Sequence, residues 1–283
     1  MFQDDLLKGK RALITGGGTG LGKAIGHRYA ELGADLVICG RRIDKLREAK
    51  EEFEHDTGAS VAVHQCDVRD PEAVEKMIAD IWSDAPLDIL VNNAAGNFIA
   101  QTKNLSHRAI DSILGIVLHG SAYCAVACGR RWIDTHRNGV ILNILTTSAL
   151  YGAAFQVPSA MAKAGVASMT RSLAVEWGPK GVRSVAIAPG PFPTEGANSR
   201  LRPDDLDEFP VANDIPLRRV GEHSELTDLA AFLVSDRAGF INGEIVVVDG
   251  GKSLQGIYGA AIQDMQGWDD AKWADVAKKT RGD

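Results

Sequence analysis

The chain has 283 residues, of which 45% are apolar and 24% charged, and a formal net charge of −6. Those are the proportions of an ordinary soluble globular protein, long enough to bury about three quarters of its unfolded surface without disulfides or metals. The acidic balance argues against a nucleic-acid surface, and the opening ten residues, with acids and no apolar stretch, argue against a signal peptide.

Strand and helix signals alternate from the start. Short runs rich in Val, Ile and Leu predict strands buried on both faces at Arg11–Thr15, Asp35–Cys39, Val61–His64, Ile89–Val91, Val140–Leu145, Ser184–Ile187 and Glu244–Val248. Amphipathic stretches between them predict helices over Gly22–Leu32, Ile43–Thr57 and Pro71–Ser83. Asp70-Pro71 supplies an N-cap and a first-turn proline for the third, and Gly33 and Gly58 stop the first two. Repeated β-α-β units imply a doubly wound α/β fold, a parallel sheet with helices on both faces, as one Rossmann-type domain over residues 1–283. The run Ser112–Gly129 has no formal charge and approaches membrane-spanning length, but its glycines, serines and His119 favour a helix buried between protein surfaces, and no span is expected. Cys39, Cys66, Cys124 and Cys128 lack metal-like spacing and read as buried free thiols, which points to a reducing, cytoplasmic setting and no metal site.

The turn Thr15-Gly16-Gly17-Gly18-Thr19-Gly20-Leu21-Gly22 follows the first strand at once and opens the first helix. In that context Gly16 lets the chain turn, Gly20 lets backbone approach a pyrophosphate, and Gly22 lets helix and strand pack closely. A dinucleotide's phosphates then rest at a helix N-terminus. The second strand ends in Cys39-Gly40-Arg41-Arg42, with no acid before Asp44. An acid there holds a ribose 2′-OH; two guanidiniums suit a 2′-phosphate, so NADP(H) is expected over NAD(H). The alternative is that both arginines are the solvated start of a helix.

The glycine spacing resembles that of the short-chain dehydrogenase/reductase family. Further marks arrive in order: Cys66-Asp67-Val68, Asn92-Asn93-Ala94-Ala95-Gly96, Pro189-Gly190 with Pro191, and Asp249-Gly250-Gly251. They cover about residues 11 to 251. By this resemblance Asp67 and Val68 border the adenine, Asn93 to Gly96 line the cofactor groove, and Lys163 binds the nicotinamide ribose. Most members carry Tyr-x-x-x-Lys on the helix after the fifth strand. Here Ser159 stands in the tyrosine position, Thr146 in that of the strand serine, and His119 in that of the usual asparagine.

A serine with an ordinary high pKa cannot replace tyrosine as an acid, which leaves lost chemistry or a reaction needing less acid help. Asn97-Phe98 after Gly96, Val157-Pro158-Ser159, Ser172 to Gly178, and Pro189-Gly190-Pro191 leading to Ser199-Arg200-Leu201 resemble the 2,4-dienoyl-CoA reductases, a branch that also lacks the tyrosine. That resemblance implies hydride delivery from NADPH to a dienoyl thioester and formation of a 3-enoyl-CoA, with Asn97 donating to the enolate oxygen. Tyr151 is the nearest phenol and either donates the proton or is a rim or core aromatic. Thr146 either bonds a substrate carbonyl or ends its strand, and His119 reads as a structural histidine before a catalytic one.

Residues 191–216 lack periodicity and are expected to form a substrate lid, with Arg200 and Arg202 either meeting coenzyme A phosphates or forming a solvated pair. Acids at 204, 205, 207 and 208 oppose the first option. The tail, 252–283, carries a short amphipathic helix with Trp268 and Trp273. By family resemblance the Ser112–Gly129 and Ser159–Leu173 helices are expected to join copies in a homo-oligomer, a tetramer. Two other functions fit the same motifs: a reductase of a 2-enoyl-CoA, enone or carbonyl, and a dinucleotide-binding protein without catalysis.

Overall fold

A computed structural model describes residues 5–194, 196, 212–255 and 259–281. Seven strands form one parallel sheet in the order β3-β2-β1-β4-β5-β6-β7. They are β1 (Arg11–Thr15), β2 (Asp35–Gly40), β3 (Val61–Gln65), β4 (Ile89–Asn92), β5 (Gly139–Ile144), β6 (Val182–Pro189) and β7 (Ile245–Val248). Each expected strand is present, with ends shifted by a few residues.

Strand side chains alternate between faces, and here both faces are covered. Ala12 and Ile14 of β1, with Leu36 and Ile38 of β2, pack on one side. Their neighbours are Tyr29 of α1 (Gly20–Glu31) and Phe53 of α2 (Ile43–Thr57). Leu13, Val37 and Cys39 face the other side. There they meet Ile78 of α3 (Pro71–Asp84) and the fully buried Trp132. The large polar-tipped rings are satisfied: Trp132 donates to the Leu87 carbonyl at 2.6 Å and Tyr29 to that of Ala230 at 3.1 Å.

The helix caps follow their local chemistry. Asp70 accepts from the backbone N–H groups of Glu72 and Ala73, and Gly58 closes α2 in the left-handed region at φ +71°. The uncharged run lies within one long helical segment, His107–Asp134, long and apolar enough to cross a membrane. Half of its most apolar window is buried inside the protein. It comprises α4 (His107–Leu114), a π turn over Gly115–His119 and α5 (Gly120–Asp134). The π turn inserts an extra residue and rotates the remainder of the helix about its axis. His119 ends this turn and is exposed, its ring 6.1 Å from that of Tyr123. The chain continues through the short α6 (Ser148–Tyr151), α7 (Val157–Trp177), α8 (His223–Val234) and the tail helices α9 (Gly259–Gln266) and α10 (Asp270–Arg281). Trp268 precedes the last helix and its ring lies 5.0 Å from that of Trp273.

The strand order reverses between β1 and β4, whose crossovers leave in opposite directions. This is the switch point at which open α/β sheets form a crevice beyond their carboxyl ends. Replacing Asp70 by Ala strips two donors of their acceptor at the start of α3, and a loss of about 1 kcal/mol in urea unfolding is expected, with the cavity beyond the strand ends unaltered.

Candidate active site

A cavity of about 1170 Å³ opens beyond the carboxyl ends of the strands. Its floor is the turn after β1, where Gly16 adopts φ +67° and a side chain would come within 3.0–3.2 Å of Asn93 and Ala94. Thr15 fixes this turn to the neighbouring loop. Its buried hydroxyl accepts from the N–H groups of Asn93 and Ala94, both at 3.0 Å, and donates to the Val91 carbonyl at 3.3 Å. The Asn93 carboxamide donates back to the Thr15 carbonyl at 2.9 Å. Gly16, Thr19, Gly20 and Leu21 line the cavity. Gly22, assigned to the cofactor from sequence, does not; it is buried, and a Cβ there would meet Asn93 Nδ2 at 2.3 Å and the Gly16 carbonyl at 2.5 Å. It sets how closely α1 approaches and touches the site only through Asn93.

The start of α1 fits an anion. No side chain caps Thr19–Gly20, so first-turn N–H groups are left for a ligand, and the helix dipole adds to their attraction. Gly18 lies against the first turn of α2, where a Cβ would come within 3.1 Å of the Lys45 carbonyl. That approach brings Arg41 and Arg42 to the cavity wall, with Arg42 donating to the Thr19 hydroxyl at 3.4 Å. Lys45 lines the same wall and was missed from sequence, although it stands one helical turn beyond Arg41. Three cations and no acid of β2 therefore border this end. Asp67 and Val68 form the next stretch, with the carboxyl of Asp67 held below its usual range by the Arg69 guanidinium. Asn93, Ala94, Ala95 and Gly96 continue the wall, and Pro189, Gly190 and Pro191 close it after β6.

At the other end the cavity meets the first turns of α7. Ser159 and Lys163 are both buried, 4% and 5% exposed, and both line it. The Lys163 amine donates to the Ile144 carbonyl, and burial pushes its pKa down to about 8. Thr146 Oγ1 is hydrogen-bonded to Ser148 Oγ at the end of β5. Tyr151 lines the mouth with its ring 61% exposed, as a rim aromatic rather than a core one. On the facing loop Asn97 accepts from Phe98 N–H at 2.9 Å and donates to Gln156 Oε1 at 2.7 Å. Gln156 is a second residue the sequence reading missed. Its signal was its place at the start of α7, where Ser, Thr or Asp is favoured and a glutamine does no capping. Ser199, Arg200, Leu201 and Arg202, with the acids at 204, 205, 207 and 208, lie outside the described residues, as does most of the expected lid.

A parallel sheet with an uncapped helix start at its switch point, and a buried lysine at the far end of the same cavity, defines a nucleotide-dependent oxidoreductase. The chain belongs to the short-chain dehydrogenase/reductase family. Residues 16–253 match the family model described as enoyl-(acyl carrier protein) reductase. It is 44% identical to the Bacillus subtilis protein named "Probable 2,4-dienoyl-CoA reductase [(2E)-enoyl-CoA-producing]", over 87% of this chain and 97% of that one. It is 41% identical to the Caenorhabditis elegans "Probable 2,4-dienoyl-CoA reductase 3 [(3E)-enoyl-CoA-producing]", over 100% of this chain and 93% of that one. Among solved structures, a short chain dehydrogenase from Bacillus anthracis is 42% identical with a TM-score of 0.79, covering 87% of this chain and 98% of that chain. A gluconate 5-dehydrogenase from Burkholderia cenocepacia, in complex with NADP and tartrate, is 29% identical with a TM-score of 0.82, covering 89% and 98%.

The depressed pKa of Lys163 has a consequence for stability. The amine keeps its proton to 10.5 when unfolded but only to about 8 when folded. Between those values the unfolded chain holds more protons, so this group's contribution to stability rises with pH. In urea unfolding of cofactor-free protein, the wild type is expected to gain on Lys163→Met by on the order of 3 kcal/mol between pH 8 and pH 10.5. Parallel curves would mean that the amine is not desolvated.

Proposed function

We propose that the protein is an NADP(H)-dependent 2,4-dienoyl-CoA reductase that converts a conjugated dienoyl-CoA to an enoyl-CoA in the breakdown of unsaturated fatty acids. The observation that carries this reading is Ser159 in place of a phenol, buried one helical turn from Lys163, with the Asn97 carboxamide in the wall of the same cavity. A ketone reduced to an alkoxide needs an acid at once, and a serine hydroxyl is too weak for that. A conjugated thioester instead spreads its new charge onto the thioester oxygen, where fixed N–H donors suffice.

The groups that would hold the dinucleotide are the turn from Gly16 to Leu21 for the diphosphate, Asp67 and Val68 for the adenine, and Lys163 for the nicotinamide ribose. Asn93 to Gly96 and Pro189 to Pro191 would flank it. When bound, NADPH supplies a hydride. Asn97 donates to the enolate oxygen, and Thr146, already paired with Ser148, stands beside the same end of the cavity. Tyr151 is the candidate acid. Its proton, placed on the carbon next to the carbonyl, gives the 3-enoyl product; placed two carbons further along, it gives the 2-enoyl product. The two relatives carry one name of each kind, and we favour the 3-enoyl product.

Arg41 and Arg42, with Lys45 beside them, support NADP(H) over NAD(H). Replacing both arginines by Ala is expected to weaken NADPH binding roughly 10- to 100-fold while leaving NADH within about threefold, in fluorescence titration. An equal loss for both nucleotides would overturn the preference.

The substrate is tested by following NADPH absorbance with hexadienoyl-CoA, crotonyl-CoA and a simple ketone. Turnover is expected with the dienoyl thioester first. The description of the matching family model favours a second reading, a 2-enoyl thioester reductase, for which crotonyl-CoA would be the better substrate. Turnover of the ketone alone would sink both. Exposed Val126 of α5 and Met161 and Val175 of α7 support a homo-oligomer, and four buried free thiols support a reducing compartment such as the cytoplasm.

A further inference from the structure

Two loops meet at the mouth of the cavity, the one after β4 and the one entering α7. They are joined by a backbone bond, Ala100 N–H to the Phe155 carbonyl at 2.9 Å, and by the side-chain bond from Asn97 to Gln156. Phe155 stands in the left-handed region at φ +62°, a strained conformation for a bulky aromatic residue. Its turn delivers Gln156 to the N-cap position of α7. There the Gln156 carbonyl takes the N–H groups of Ser159 and Ala160, both at 3.1 Å, while its side chain caps nothing. The side chain reaches across 59 positions of sequence to Asn97 instead.

The hydrogen bonds fix both carboxamides without ambiguity. Phe98 N–H can only donate, so the Asn97 oxygen faces it and the Asn97 nitrogen faces Gln156. Gln156 must then present its oxygen. One Asn97 N–H is spent on Gln156, and the other has no partner among the described residues, where the Gln156 nitrogen has none either. Both residues line the cavity.

We propose that Gln156 is a positioning residue: it locks the Asn97 carboxamide so that the remaining N–H is held for the thioester oxygen of the substrate. The role rests on the reductase reading above. It adds a residue, drawn from another part of the chain, on which the enolate donor depends. Without it the Asn97 amide is held by the Phe98 N–H alone, and its donor is less firmly aimed, at a cost that falls on turnover rather than on cofactor binding.

The test is a double-mutant cycle of Gln156→Ala and Asn97→Ala, read as kcat and KM for the conjugated substrate that the wild type reduces. Gln156→Met, which keeps the volume but accepts no bond from Asn97, guards against simple loss of packing. NADPH affinity serves as the control for folding. Both Gln156 variants are expected to lower kcat about 10- to 100-fold, with NADPH affinity within about twofold and KM little changed. In the Asn97→Ala background, Gln156→Ala should then cost nothing further, since the residue acts through Asn97. Additive losses, or a Gln156→Met enzyme as fast as the wild type, would overturn the role while leaving the reductase reading intact. A wild type inactive on every conjugated thioester would bring down that reading, and this role with it.

Discussion

The buried hydroxyl of Thr15 ties together the two halves of the sheet at the point where they part. Strands β1 and β4 run side by side and their chains then leave in opposite directions, so nothing in the sheet itself fixes the loops beyond. Thr15 takes two backbone donors from the loop after β4, gives its own proton to Val91, and receives the Asn93 amide on its carbonyl. The turn at Gly16 and the start of the wall at Asn93 and Ala94 are thereby tied together. Gly22 fits because Asn93 occupies the place a side chain would take. The uncapped helix start follows directly from this clasp, while the cations facing it are set by the approach of α2 to Gly18.

The far end of the cavity is governed by charge in a dry place. Lys163 sits on α7 with its amine buried and hydrogen-bonded to the Ile144 carbonyl, and burial lowers its affinity for the proton. Such an amine is costly to hold and well suited to bind hydroxyls or to shape the field around a reacting group. Next to it the chain places Ser159 and not a phenol, and the polar groups of this region are hydroxyls and carboxamides.

Strain and capping say the same about the mouth. Phe155 is kept at positive φ by its bond to Ala100, and the residue that should cap α7 turns its side chain toward Asn97. A sequence chosen only for helix stability would place Ser or Asp at this position. The exposed Tyr151 lines the same opening, and Phe155, one residue before Gln156, is exposed beside it in sequence.

The strands, most helix ends and the nucleotide turn are legible in the chain alone, because each depends on neighbours within a few residues. The alternation of Leu13 against Ile14, the cap at Asp70 and the stop at Gly58 are local facts of backbone geometry. The substitution of Ser159 was equally legible, since Lys163 lies four residues on and marks the helical face. Long-range packing settles instead where distant segments touch and which way a helix turns. Gly22 stands behind Asn93 and not against the cavity, Lys45 joins the arginines because Gly18 lets α2 come close, and His119 lies exposed at the end of a π turn. The pairing of Asn97 with Gln156 spans 59 residues, and its existence rests on strand order and on one strained residue. No periodicity in the chain encodes such contacts, because they arise from the summed geometry of every element lying between the two partners.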